Sequence, residues 1–220
     1  MSNNPTWEKN YKSLKRYNKY PFDFIVSYTK KYFKDGYGLR SLDLGCGGGN
    51  NTKFLQEENF NVFGIDYSET SIRLTKNVVK KKFCNQIVRG DFKNLPFKNS
   101  FFDLIIDRMS VTHNSEMDID NIIAEVSRVM KKNSIFISSF HSNKNPDLTY
   151  GQKKGNDYSN FKNGKFKYSS IVFATTPKIL KDKFKKFKIL DFKELKTINL
   201  IKKKIESSSY IIVLRKRWIF

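Results

Sequence analysis

The residues best suited to chemistry sit in one run, Leu42-Asp43-Leu44-Gly45-Cys46-Gly47-Gly48-Gly49-Asn50-Asn51. A short apolar strand runs into glycines and then into a helix. Glycine permits a sharp turn and lets a ligand approach the backbone with no Cβ in the way. In open α/β sheets ligands sit at the carboxyl ends of the strands, where the strand order reverses. A glycine cluster alone serves a plain turn equally well. Asp66 sharpens the reading, because it ends the next strand 21 residues after Gly45 (66 − 45). A carboxylate about 20 residues past the first glycine is placed to accept hydrogen bonds from both ribose hydroxyls of a nucleoside. The dinucleotide fingerprint would put glycine or alanine where Asn50 stands. The glycine-x-glycine-x-glycine spacing found instead argues against a nicotinamide cofactor.

The elements that must hold these residues alternate between β-type and helix-period runs. Phe22, Ile25, Val26, Thr29 and Phe33 define one face of a helix. Ser41 to Leu44 is a strand, and a helix follows from about Asn50 to Glu58. Asn61 to Ile65 is a second strand, and Ser68 caps a helix that turns Ile72, Val79 and Phe83 inward. Gln86-Ile87-Val88 is a weak third strand and Phe102 to Ile106 a continuous apolar fourth, as expected of a strand buried on both faces. Ile119, Ile122, Ile123, Val126 and Met130 form a helical stripe before a fifth strand, Ser134 to Phe140. From His141 to Gly164 the chain is polar and dotted with tyrosines, and reads as an irregular loop beside the acceptor. Thr176 to Lys186 is a helix; Phe187 to Leu195 and Ser208 to Lys216 are closing strands.

In this order the motifs resemble those of the class I S-adenosylmethionine-dependent methyltransferases. Asp43 to Gly49 is similar to the family's signature loop, and Gly64-Ile65-Asp66-Tyr67-Ser68 to its ribose-binding acidic element. Gly90-Asp91-Phe92 with Leu95-Pro96-Phe97 resembles the segment that holds adenine. Ser100 to Ile106 resembles the strand leading to the active site, and Glu125 to Lys131 the helix end before strand five. Coverage runs from about Leu42 to Phe140. Asn133 stands where many members carry glycine, and asparagine tolerates the left-handed backbone that position needs.

The resemblance implies an α/β, doubly wound, Rossmann-like fold. Its mostly parallel seven-stranded sheet would carry helices on both faces and an antiparallel C-terminal strand. It implies S-adenosylmethionine as cofactor, with Gly45, Cys46, Gly47 and Gly49 against its methionine part and ribose and Asp43 ordering the loop. Asp66 would bind the ribose diol, Tyr67 would pack on the adenine, Asp91 would meet its amino group and Phe92 would supply a contact or stacking surface. Trp7 to Tyr11 is similar to an aromatic lead segment that covers the cofactor, with Tyr11 the contact; an ordinary amphipathic helix is the alternative. On the acceptor side His113 is the candidate base, since a histidine with a pKa near about 6.5 takes a proton at neutral pH. A histidine merely packed beside the loop is the plain alternative. His141, at the end of strand five, is a second candidate base. Asp107 is a third catalytic candidate, or a holder of the cofactor's ammonium group. Arg108 would bind a carboxylate or phosphate on the acceptor, and Tyr150 would border it. The Asn/Asp-Pro-Pro-Tyr/Phe element of amide and nucleobase nitrogen methylation is missing.

The chain has 220 residues and is read as one domain. Residues 1–38 would form a helical cap, 39–140 the cofactor core, 141–175 an acceptor-side insertion, and 176–220 a closing helix and strands. The net charge of +21 invites nucleic acid, but 34 of the 42 basic residues are lysine and only 8 are arginine. Arginine is the residue favoured for phosphate and base recognition. An AT-rich genome gives the same excess of Lys, Asn, Ile, Phe and Tyr. Nucleic acid is therefore a disfavoured but open partner, and an RNA methyltransferase using Lys178 to Lys188 and Lys202 to Lys204 is the alternative function. A non-catalytic S-adenosylmethionine-binding subunit is another. Cys46 and Cys84 make neither a disulfide framework nor a metal site, so no metal is expected. No apolar run suits a signal peptide or a membrane span, and a cytoplasmic location is expected. The expected function is methyl transfer to a hydroxyl or amine of a small metabolite, with a sugar or sugar nucleotide as the narrower expectation.

Overall fold

The computed structural model describes residues 5–13 and 18–217. Parts of the expected cap and closing segment, 1–4, 14–17 and 218–220, lie outside the described residues. Helix α1 (Pro5–Ser13) and helix α2 (Asp23–Tyr32) precede the first strand, β1 (Arg40–Leu44). The core then alternates α3 (Asn50–Glu57), β2 (Asn61–Asp66), α4 (Glu69–Val78) and β3 (Ile87–Arg89). It continues through β4 (Phe102–Arg108), α5 (Glu116–Val129) and β5 (Met130–Ser142). The last part holds β6 (Gln152–Lys154), β7 (Asp157–Ser159), β8 (Ile171–Thr175), α6 (Pro177–Lys183), β9 (Phe187–Asn199) and β10 (Lys204–Lys216).

Strands β3-β2-β1-β4-β5 run parallel, and β10 lies antiparallel on β5 with β9 outside it. These are the seven strands expected. Three short strands extend the sheet to ten: β8 pairs with the end of β5 at His141 and Ser142, and β7 and β6 follow it antiparallel. Strand order reverses at β1, which has β2 on one side and β4 on the other. Two apolar layers cover the sheet. Ile119, Ile122 and Val126 of α5 and Leu180 of α6 pack with Leu42, Leu44 and Ile105 on one face. Ile25, Leu55 and Ile72 of α2, α3 and α4 pack with Leu104 and Ile106 on the other. Neighbouring positions of β4 thus point to opposite layers, which explains its unbroken apolar run.

Several boundaries differ from expectation. Helix α4 stops at Val78, and Phe83 reaches the core from a 3-10 turn, Lys81–Gln86. Met130 opens β5 instead of closing α5, and Asn133 takes the left-handed backbone (φ 62) within that strand. The region after His141 is folded rather than irregular. A 3-10 turn over Pro146–Tyr150 leads into the β6–β7 hairpin, and Leu148, Tyr158, Phe161, Phe166, Val172 and Ala174 form their own small core.

Candidate active site

The glycine run turns through left-handed residues at Gly45 (φ 82), Gly47 (φ 56) and Gly49 (φ 83). Side chains of α4 tie the turn down: Ser71 Oγ and Thr75 Oγ1 both donate to the Gly47 carbonyl, at 2.7 and 3.0 Å. A Cβ on Gly45 would lie 2.0 Å from Ser110 Oγ, and one on Gly47 would lie 2.5 Å from the Tyr11 hydroxyl. Asp43 sits beneath the turn, 1% exposed, accepting from Thr52 Oγ1 at 2.6 Å; burial pushes its carboxyl up to about 7. Its position fits the loop-ordering role and not a direct contact. Gly49 also differs from expectation. It does not border the cavity, and a Cβ there would meet Thr75 Cα at 2.9 Å, so its glycine serves the packing of α3 on α4. The Cys46 side chain turns into the core and leaves its backbone toward the cavity.

Asp66 closes β2 as a buried carboxylate. One oxygen accepts from the Gly47 N–H at 3.0 Å and the other from the Ser68 N–H at 2.9 Å. Ser71 and the Tyr67 N–H also hydrogen-bond to this carboxylate, which lines the cavity. Burial raises its pKa, against the pull of those N–H groups. The Asp91–Phe97 segment is pinned by Arg128, which donates to the carbonyls of Leu95 and Phe97, and by Glu125, which accepts from the Leu95 N–H. Together Gly45 to Gly48, Asp66, Tyr67, Asp91 and Phe92 line a cavity of about 410 Å³ at the carboxyl edge of the sheet. That volume lies within the range of roughly 300–1,000 Å³ for small-ligand sites.

Trp7, Phe22, Arg108, Met109, His113 and Asn114 also line the cavity. The Arg108 guanidinium lies 3.9 Å from the centre of the Phe22 ring. His113 is 9% exposed and packs edge-on to Trp7 (4.9 Å between ring centres) and to His141 (5.4 Å). It bonds the Ile171 carbonyl, while its Nδ1 has no partner among the described residues, so Nε2 carries the proton. Burial, with a smaller push from the Arg108 charge, lowers its pKa to about 4. His141 lies behind it against Phe166, at 4.6 Å, and does not line the cavity; burial holds its ring well below the usual histidine range.

Asp107 differs most from its expected roles. It is fully buried and does not line the cavity. Its Oδ1 accepts from the Ser110 and Val111 N–H groups at 2.7 and 3.2 Å, and Oδ2 from Ser138 Oγ at 2.6 Å. These bonds consume it as an anchor for the loop after β4, and burial pushes its carboxyl up to about 6. Tyr150 lies away from the cavity, its exposed ring against Gly164.

Sequence reasoning missed Glu8. From α1 it accepts hydrogen bonds from Ser68 Oγ at 2.6 Å and from the Thr70 N–H and Oγ1 at 3.1 and 2.8 Å. These bonds hold its pKa down to about 2 and fasten α1 to the start of α4, so that Trp7 and Tyr11 roof the cavity. Phe22 and Met109 were missed too. Phe22 is held through its N–H by Asn51 Oδ1 (3.1 Å), and Met109, left-handed at φ 60, donates its N–H to Ser139 Oγ (3.1 Å). None of these has a signal in motif spacing, because each pairs residues far apart in the chain.

A glycine turn at the reversal point of a doubly wound sheet, with a carboxylate facing it from the next strand, defines a nucleoside-cofactor α/β protein. Residues 42–138 match a family described as "Methyltransferase domain". An uncharacterised methyltransferase of Synechocystis sp. is 33% identical over 100 residues, 45% of this chain and 45% of its own. A ubiquinone biosynthesis O-methyltransferase of Pelagibacter ubique is 31% identical over 120 residues, 54% of this chain and 48% of its own. The matches thus span about half of each of these relatives. A solved S-adenosylmethionine-dependent methyltransferase from Methanosarcina mazei superposes with a TM-score of 0.70 at 18% identity, over 91% of this chain and 100% of that one. The N1-methyltransferase for 1,6-didemethyltoxoflavin of Burkholderia thailandensis, solved with S-adenosylhomocysteine, gives a TM-score of 0.63 at 14% identity, over 89% and 78%. Residues 42–138 are thus similar to a methyltransferase domain, and the chain shares the fold of solved S-adenosylmethionine-dependent methyltransferases. Among the described residues no helix is long and apolar enough to cross a membrane, and no His/Cys/Asp/Glu group could hold a metal ion.

Proposed function

We propose that this protein binds S-adenosylmethionine in the cavity above Gly45 to Gly48 and transfers its methyl group to a hydroxyl or amine of a small acceptor in the cytoplasm. The observation that carries this reading is a convergence. The glycine backbone, the Asp66 carboxylate and the Asp91–Phe92 segment border the same cavity as His113 and Arg108. The residues present suit the cofactor: the Gly45 to Gly48 backbone borders the cavity, the Asp66 carboxylate lines it where a ribose diol would bind, and Phe92 offers a ring. When bound, S-adenosylmethionine supplies a methyl group already activated by its sulfonium.

What remains for the chain is alignment, exclusion of water and handling of one proton. Trp7 and Tyr11 roof the cavity, and Phe22 and Met109 wall it. Arg108 would hold an acidic group of the acceptor, leaving its nucleophile beside His113, whose unpartnered Nδ1 is buried and would have to be uncovered to take a proton. A histidine with a pKa of about 4 is neutral at pH 7 and a weak base. It suits a nucleophile that arrives as a free amine or carries an acidic proton. An acceptor anion on Arg108 would also offset the cation that helps depress this pKa. A sugar or sugar nucleotide rests only on the chain layout after His141, and no described cavity residue adds to it. The test is an acceptor-library screen read by S-adenosylhomocysteine production, with sugar nucleotides, amines and acidic hydroxyl compounds as separate arms and RNA as a further one. Turnover confined to RNA, or no turnover with any acceptor, contradicts the proposal.

A further inference from the structure

The β9–β10 hairpin continues past the sheet edge that bears the cavity. Ser209 of β10 pairs with His141 at the end of β5, and the hairpin stays paired out to Lys204 and Asn199. Five residues (209 − 204) therefore project beyond that point, about 17 Å at the rise of a strand. Lys165, donating to the Glu206 carbonyl, and Asn145, donating to the Ser208 carbonyl, brace the base of the projection.

The tip is apolar and exposed. Leu200 is 82% and Ile201 95% exposed, and the cross-strand pair Ile198 and Ile205 stands beside them, also exposed. Lys202, Lys203 and Lys204 follow at once, with Lys203 left-handed (φ 48) to close the turn. Lower on the hairpin, Asp191 and Glu194 are paired with Lys193 and Lys196, whereas the three tip lysines have no ion pair among the described residues. Two bulky aliphatic side chains at the apex and a collar of free cations are complementary to one kind of surface.

We propose that this tip docks the protein onto an anionic lipid bilayer. Leu200 and Ile201 enter the boundary between headgroups and acyl chains, and Lys202 to Lys204 lie against lipid phosphates. Membrane attachment of this peripheral kind is stable when apolar insertion and electrostatic attraction act together. Competing occupants fit less well. The tip has no aromatic ring or arginine to stack or fork onto RNA. A second copy would bring two lysine triplets together, and the outer strand β9 carries Lys188, Lys193 and Lys196, which guard a sheet edge against pairing. Docking through this tip turns the cavity-bearing edge toward the bilayer, and it does not depend on which acceptor is methylated.

The experiment is flotation of the full chain with vesicles of phosphatidylcholine, and of phosphatidylcholine with about one-quarter phosphatidylglycerol, at low and high salt. The expected result is retention on the anionic vesicles that weakens with salt. The double variant Leu200→Ser/Ile201→Ser and the triple variant Lys202→Gln/Lys203→Gln/Lys204→Gln should each bind at least about tenfold more weakly. Both should keep the parent's affinity for S-adenosylhomocysteine, which separates a docking defect from unfolding. Equal retention of parent and variants overturns the proposal, as does equal retention on neutral and anionic vesicles. So does the absence of vesicle binding when the tip variants instead abolish a dimer or the binding of single-stranded RNA.

Discussion

In the proposed function Asp66 has two tasks, ordering the glycine turn through the Gly47 N–H and accepting from a ribose. Asp66→Ala removes both, and loss of a charged hydrogen bond costs about 1.5–3 kcal/mol. Calorimetry should show S-adenosylhomocysteine affinity reduced roughly ten- to hundredfold. Asp66→Asn, which keeps one acceptor oxygen, should fall between; unchanged affinity in a folded Ala variant refutes the assignment. For His113 the expected loss in turnover on replacement by Ala is at least about 10²-fold, with cofactor binding nearly intact. Because burial lowers its pKa to about 4, kcat/KM should fall as pH drops through about 4 rather than through the ordinary value of 6.5. The stability sign follows. The neutral ring is favoured in the folded state, so its contribution is complete above about pH 6.5 and is lost as pH falls toward about 4. An inflection near 6.5 that vanishes in His113→Ala would show the ring to be solvated and the pocket differently built. Asp66 was legible in the sequence because strand-end spacing reports on it directly. The duty of Asp107 was not, since only the fold brings Ser138 to its second oxygen.

At the scale of elements, Glu8 fastens a short helix across the cavity. Glu8→Gln leaves the shape but weakens three hydrogen bonds accepted by a charged group, so α1 should detach more often. Limited proteolysis should cut between α1 and α2 faster than in the parent, with S-adenosylhomocysteine restoring protection; identical cleavage rates would show that the latch does not hold α1. Gly49→Ala tests the α3–α4 contact. The left-handed backbone costs about 1–2 kcal/mol for a residue with Cβ, and the approach to Thr75 adds to it. Chemical denaturation should show a loss of at least that size, and parental stability would contradict the packing role. The parallel strands were legible because burial on both faces makes them continuously apolar. The strands β6 and β7 were not: β6 is exposed throughout, and β7 buries only Tyr158, so neither shows the alternation that marks a strand. The extra length of β9 and β10 escaped for the same reason, since their outer halves have no buried face.

For the molecule as a whole, the order of motifs along the chain carried the fold, because the glycine run, Asp66 and Asp91–Phe92 lie at the carboxyl ends of β1, β2 and β3, which the sheet gathers on one edge. What the sequence left open is the acceptor end, assembled from α1, the segment before α2, the loop after β4 and β8, which no single motif spans. The central claim is that this edge holds a nucleoside bearing a sulfonium and not a dinucleotide. The direct measurement is calorimetric titration of the full chain with S-adenosylmethionine, S-adenosylhomocysteine and NAD. The account predicts micromolar-range, single-site binding of the first two, lost in large part in Asp66→Ala, and no useful binding of NAD. Binding of NAD without binding of S-adenosylhomocysteine would contradict it.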